Sequence, residues 1–171
     1  MAVEWNGYEL HPETPPGGVP LGRLLPNADA MLRYVRAFAE GFGISDLVLP
    51  ARVPSTRRIL AASERARDAG RLEAFRAAAF DAHWRRGLDI ESDSTLATVA
   101  REAAVDPDAA IAAASDASFL ARVDAARARA LAAGVTGIPT LDVGTVRVVG
   151  CQPYEALAAA AKKVGACRVR H

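Results

Sequence analysis

A chain of 171 residues suits one domain, or a small domain carrying an insertion. Hydrophobic residues make up 51% and charged residues 24%, a balance that folds and excludes a disordered chain. Lysine and arginine number 21 against 20 aspartates and glutamates, a net charge of +1, so the basic surface that nonspecific nucleic-acid or anionic-membrane binding needs is lacking. Aromatic residues are only 6%. Much of the apolar content is therefore alanine, which favours helix over sheet. The longest charge-free run, Ala130 to Leu141, is broken by Gly134, Gly137 and Pro139. It is too short to span a bilayer, which takes about 20 apolar residues. Met1 to Leu10 has neither a basic nor an apolar leader region, and Cys151 and Cys167 are too few for a secreted disulfide scaffold. The expectation is a cytoplasmic protein with neither nucleic acid nor membrane as its partner.

Three zones follow one another along the chain. In residues 1–26, Val3, Trp5, Tyr8 and Leu10 predict a strand from Val3 to Leu10, which leaves through a Pro/Gly loop from Pro12 to Pro20. Residues 27–133 read as helices. Asn27 is placed to cap the first, and Leu32, Val35, Phe38, Ala39 and Phe42 give it one apolar face before Gly43. Ser55 is placed to cap a second helix that ends at Gly70. A third has Leu72, Phe75, Ala79, Phe80 and Trp84 inward and stops at Gly87. A short helix carries Leu96, Val99 and Ala103. Asp106-Pro107 opens another, with proline where its missing N–H costs nothing. Phe119, Val123, Ala126 and Ala130 define the last helix of the block. In residues 134–171 the period changes. Ile138–Val143 and Val146–Val149 are β-branched runs around Gly144-Thr145, a hairpin, and Pro153 opens a final helix to Gly165.

Gly134-Val-Thr-Gly-Ile-Pro-Thr140 and Val148-Val-Gly-Cys-Gln-Pro-Tyr-Glu155 resemble the DsbA family of thioredoxin-fold proteins. The FrnE-like branch is nearest, beside 2-hydroxychromene-2-carboxylate isomerases and kappa-class glutathione transferases. Tyr8-Glu-Leu-His-Pro-Glu-Thr-Pro-Pro-Gly17 and Ala82-His-Trp-Arg-Arg-Gly-Leu-Asp-Ile90 agree in family order. The resemblance implies an α/β fold, a thioredoxin-like sheet with an all-helical insertion. The family's first strand and helix carry a Cys-x-x-Cys or an equivalent serine. This sequence contains no Cys-x-x-Cys and begins at what resembles the second strand, so the first β-α unit is expected to be absent from the chain.

Pro139 resembles the family's cis-proline, where the residue before it, here Ile138, pairs with an extended thiol substrate or glutathione. Ile138, Pro139 and Thr140 are thus the candidate substrate-binding residues. Cys151 is the candidate catalytic residue. Counting outward from the hairpin turn brings it beside Ile138, just ahead of a helix N-terminus, a setting that activates thiols. The plainer alternative, a small buried residue at a strand end, is the expected one. Cys151 and Cys167 bracket a helix of about 18 Å, too far apart for a disulfide within one chain. The three histidines, His11, His83 and His171, show no metal-ligand spacing. His83 reads as a helix-surface residue, and Ser63–Asp68 as a solvated helix face.

The resemblance implies a DsbA-like thiol-disulfide oxidoreductase, impaired by the missing Cys-x-x-Cys. A glutathione-dependent isomerase or transferase and a non-catalytic peptide-binding module are the alternatives. No resident cofactor is expected, with glutathione as a candidate ligand. The expected partner is a thiol- or disulfide-bearing peptide or a glutathione-like molecule. The gap left beside the second strand also favours a homodimer formed by edge addition or segment exchange.

Overall fold

The computed structural model describes residues 3–24 and 26–165. Helices α3 (Arg57–Asp68), α4 (Leu72–Trp84), α5 (Asp93–Glu102), α6 (Pro107–Ala113) and α7 (Ala117–Ala132) follow through short turns. Three of their starts are capped as helix chemistry requires. Ser92 accepts from the Thr95 N–H, Asp106 from Ala109, and Asp116 from Ser118 and Phe119. Each bond satisfies a donor that the first helical turn leaves without a partner. The core is built from Ile59, Ala62 and Ala66 of α3, Phe75 and Ala82 of α4, Leu96, Val99 and Ala100 of α5, and Ala110 of α6. Alanine at so many contacts lets the helices approach closely, while Phe75 and Leu96 fill the larger spaces.

Several inward assignments are corrected. On α2 (Ala28–Glu40) only Ala39 is buried, whereas Phe38 and Phe42 are exposed together with Met31 and Tyr34. Among the described residues, no residue of this helix belongs to the core cluster. The rings of Tyr34, Phe38 and Phe42 instead cover one another, with centroids 6.0 and 5.1 Å apart. Asn27 holds the cap position of α2 without a side-chain bond. Phe80 is exposed on α4. Ser55 does not cap α3; its N–H donates to Glu91 Oε1 at 2.9 Å, and Thr56 occupies the cap position. Glu64 does not belong to a solvated face. It is buried, and Arg67 of its own helix and Arg122 of α7 both reach it, with Asp68 also bound to Arg122.

Val3–Leu10 is not a strand. Among the described residues it pairs with no β-segment, because a ladder needs a neighbouring backbone and the nearest groups are side chains. Arg67 Nη2 donates to the Trp5 carbonyl at 2.7 Å and Arg127 Nε to the Glu9 carbonyl at 3.1 Å. Arg76 lies 3.9 Å over the Trp5 ring. Arginines from α3, α4 and α7 thus hold the segment against the helical block.

The expected thioredoxin-like sheet is not continuous among the described residues, which form two separate ladders. The first, inside the predicted loop, joins β1 (Val19–Pro20) to β2 (Arg52–Val53) antiparallel. Gly18, at φ +68°, makes it accessible: a Cβ there would stand 2.5 Å from the Val53 carbonyl oxygen. Arg52 closes the junction on the carbonyls of Gly17 and Gly18. A short α1 (Leu21–Leu24) follows β1. The second ladder is the predicted hairpin, β3 (Thr140–Val143) on β4 (Val146–Val149), in the expected register of Val143 with Val146 and Thr140 with Val149. Arg147 fixes it, bonding Asp142 across the strands and the Ala133 carbonyl at the end of α7. Helix α8 (Tyr154–Lys163) follows, and Val164 at its end closes on the turn glycine Gly144.

Candidate functional site

The hairpin ladder runs one step past its assigned strands. Gly150 donates its N–H to the Pro139 carbonyl at 2.8 Å, which sets Cys151 opposite Ile138. The Ile138–Pro139 peptide bond is cis. Thr140 Oγ1 donates back to the Gly137 carbonyl at 2.6 Å, and Gln152 Nε2 to the Val149 carbonyl at 3.1 Å. These two local bonds hold both sides of the edge. The structure therefore brings Ile138, Pro139, Thr140 and Cys151 together.

Exposure distinguishes the members of this group. Ile138 is 48% exposed, and among the described residues neither its N–H nor its carbonyl takes part in a hydrogen bond. Thr140 is half-buried beneath it. Cys151 is exposed and free, which overturns the expectation of a buried strand-end residue. The reason is local: Gly150, Cys151 and Gln152 lie between the last strand pair and α8, where no described element packs over them. Cys167 lies outside the described residues, and so does its expected separation from Cys151. Sequence reasoning missed the apolar rim of this edge, Val149 and Tyr154, both exposed. Alternation along β4 already aims Val149 away from Val148, and that signal was available.

Charge near the edge is balanced locally. The Arg147 guanidinium, hydrogen-bonded to Asp142, holds that carboxyl below its usual range. His83 is half-buried on α4 rather than on the helix surface, edge-on to Trp84 with ring centroids 4.7 Å apart. Burial pushes its imidazole pKa down, against a backbone hydrogen bond at Leu88 that favours the charged form. Among the described residues no three His, Cys, Asp or Glu side chains gather as a metal site, and no helix is long and apolar enough to cross a membrane. The chemistry on offer is that of one accessible thiol beside an unengaged backbone edge: nucleophilic attack on sulfur and main-chain recognition.

Solved structures resemble this chain in fold. A probable DsbA oxidoreductase from Streptomyces coelicolor superimposes with a TM-score of 0.78 at 24% identity, over 97% of this chain and 76% of that one. A 2-hydroxychromene-2-carboxylate isomerase superimposes with a TM-score of 0.71 at 23% identity, over 80% of this chain and 66% of that one. At these identities the likeness is one of fold: a thioredoxin-like α/β fold with a helical insertion. A search of curated proteins returns no match. The family model of the DSBA-like thioredoxin domain matches residues 1–162, and the chain belongs to that family.

Proposed function

We propose that this chain holds an extended thiol- or disulfide-bearing peptide, glutathione included, along Ile138, Pro139 and Thr140, with Cys151 as its single attacking thiol. The observation that carries the reading is the pairing of an unengaged Ile138 backbone with an exposed Cys151 directly across from it. A peptide adds to such an edge through its own N–H and carbonyl groups, and flanking pockets select its side chains. Val149 and Tyr154 supply apolar contacts beside it.

The exchange step runs as follows. The Cys151 thiolate attacks one sulfur of a substrate disulfide, a new S–S bond joins Cys151 to the peptide, and the substrate's own S–S bond breaks. The departing sulfur leaves as a thiolate and takes a proton from water. With no Cys-x-x-Cys in the sequence, resolution falls to an external thiol such as glutathione, which attacks the mixed disulfide and frees Cys151. Slow, thiol-dependent exchange replaces rapid dithiol turnover, so the chain is an impaired oxidoreductase of its family. Both outer edges of the hairpin are unpaired among the described residues, which supports edge addition by a second copy as part of the same reading.

The test is covalent capture. Incubation with a short peptide containing a disulfide should give an adduct on Cys151, read by intact mass and lost in Cys151→Ser. N-methylation of alternate backbone nitrogens in the peptide should slow capture about tenfold, the cost of roughly one or two hydrogen bonds. Capture at equal rates for the methylated and parent peptides would remove the edge from the mechanism.

A further inference from the structure

Outside the hairpin, one groove has no role in the function just described. It is an open groove between α2 and the segment from Leu47 to Leu49, of about 500 Å³, lined by Asp29, Leu32, Arg33, Arg36, Leu47, Val48 and Leu49. Asp29, Leu32, Arg33 and Arg36 stand at i, i+3, i+4 and i+7, which puts them on one face of the helix. The opposite wall is fixed. The Val48 N–H donates to the Trp84 carbonyl at 2.7 Å, and Asp46 forms an ion pair with Arg85 at 3.0 Å. Val48 also fills the space beside Gly87, where a Cβ would come within 2.8 Å of it.

The charges in this groove are unspent. Elsewhere in the protein arginines pair with carboxylates, as in Arg57–Asp124, Arg86–Glu102 and Arg122–Asp68. Among the described residues the Arg33 and Arg36 side chains make no hydrogen bond or ion pair, and Asp29, one turn from Arg33, does not pair with it. A guanidinium takes both oxygens of a carboxylate in bidentate fashion, and a second cation one turn along the same helix face adds charge of the same sign beside it. The floor beneath them, Leu32, Leu47 and Leu49, is half-buried and aliphatic. A volume near 500 Å³ falls in the range of small-molecule sites.

We infer that this groove binds a small monocarboxylate with an apolar body, its carboxylate on Arg33 and Arg36 and its apolar part on Leu32, Leu47 and Leu49. Asp29 at the rim repels a second negative charge, so dicarboxylates and phosphate esters bind less well than monoacids. The site is independent of Cys151 and does not rest on the thiol reading.

The test titrates the full chain with 2-naphthoate, followed by calorimetry and by amide shifts of α2 and residues 47–49. Saturable binding is expected, weakening as salt rises because the guanidiniums are exposed. Arg33→Gln with Arg36→Gln should weaken it by at least about tenfold, as loss of charge-assisted hydrogen bonds requires. Arg101→Gln, a surface arginine of α5, should leave it unchanged. Acetate, with the charge but no apolar body, and 2-naphthalenemethanol, with the body but no charge, should each bind at least about tenfold more weakly. No saturable binding of 2-naphthoate by the folded wild type overturns the proposal. So does binding that the double variant retains, or shifts confined to another surface.

Discussion

Arg57 Nη1 donates to Glu9 Oε2 at 3.0 Å, joining two residues 48 positions apart, and the carboxylate it meets is only 2% exposed. The same guanidinium makes two bonds to Asp124 of α7, so one side chain ties the first segment, α3 and α7 together. Asp124 and then Glu9 hold Arg57 more firmly protonated than an ordinary arginine. Removing the cation leaves a carboxylate in the interior with no partner, a far larger cost than losing a surface ion pair. Arg57→Met should therefore lower stability by about 3 kcal/mol, read from the urea midpoint at constant slope. Glu9→Gln, which keeps a hydrogen-bond acceptor, should cost less. Equal and small losses for both variants would mean that Glu9 reaches water.

The two phenylalanines of α4 have opposite surroundings. Phe75 is 0% exposed in the centre of the core, and Phe80 is 59% exposed. Phe75→Ala removes buried area and leaves a cavity among alanines and short aliphatics that have little volume with which to collapse into it. The expected loss is about 3–5 kcal/mol. Phe80→Ala should stay within about 0.5 kcal/mol, as exposed substitutions do. Thermal or chemical denaturation of the two variants side by side checks the assignment.

Much of the fold was legible because it is local. Asp106-Pro107 announces its helix through capping chemistry that needs only four neighbouring residues, and the register of Val143 on Val146 follows from a two-residue turn. The apolar period of the third helix found Phe75. The same period also took in Phe80, and on α2 it took in Phe38 and Phe42, because spacing shows which residues share a face and not whether another element covers it. Val3–Leu10 failed for a related reason. β-prone residues form a strand only beside another backbone, and here Arg67 and Arg127 supply side-chain donors instead. Glu91 was invisible altogether. It receives the Gly17 and Ser55 N–H groups from 74 and 36 residues away, and no local pattern encodes that. At the site, the meeting of Ile138 and Cys151 could be counted from the turn. The exposure of Cys151 could not, since it depends on what does not pack there.

His83 sets a pH dependence whose sign follows from its burial. Its folded-state pKa lies below the ordinary 6.5, so the folded protein binds fewer protons than the unfolded chain between the two values. Stability from the neutral imidazole is complete above about pH 6.5 and is lost as pH falls through the folded value. The melting temperature should decline from pH 7.5 to pH 5.5, before carboxylates such as Asp68 and Asp124 begin to protonate. In His83→Gln that decline should flatten. A variant with an unchanged slope would assign the titration elsewhere.

Cys151 carries the last expectation, and its two halves must hold together. The thiol is exposed and free, so a maleimide should modify it in the native protein at a rate near that of an unstructured thiol. Cys151→Ser should leave stability within about 0.5 kcal/mol, because no packing depends on the sulfur. Accessibility alone does not give reductase turnover. Releasing a mixed disulfide within one protein takes a second thiolate within reach, and the sequence offers no Cys-x-x-Cys to supply it. Insulin reduction by this chain should therefore be negligible without added thiol, and glutathione should raise it in proportion to its concentration. Turnover comparable to a dithiol enzyme without glutathione, abolished in Cys151→Ser, would require a second sulfur from Cys167 or from a partner copy. Light scattering and mass analysis of the trapped intermediate distinguish these two sources, since only the second gives a disulfide between chains.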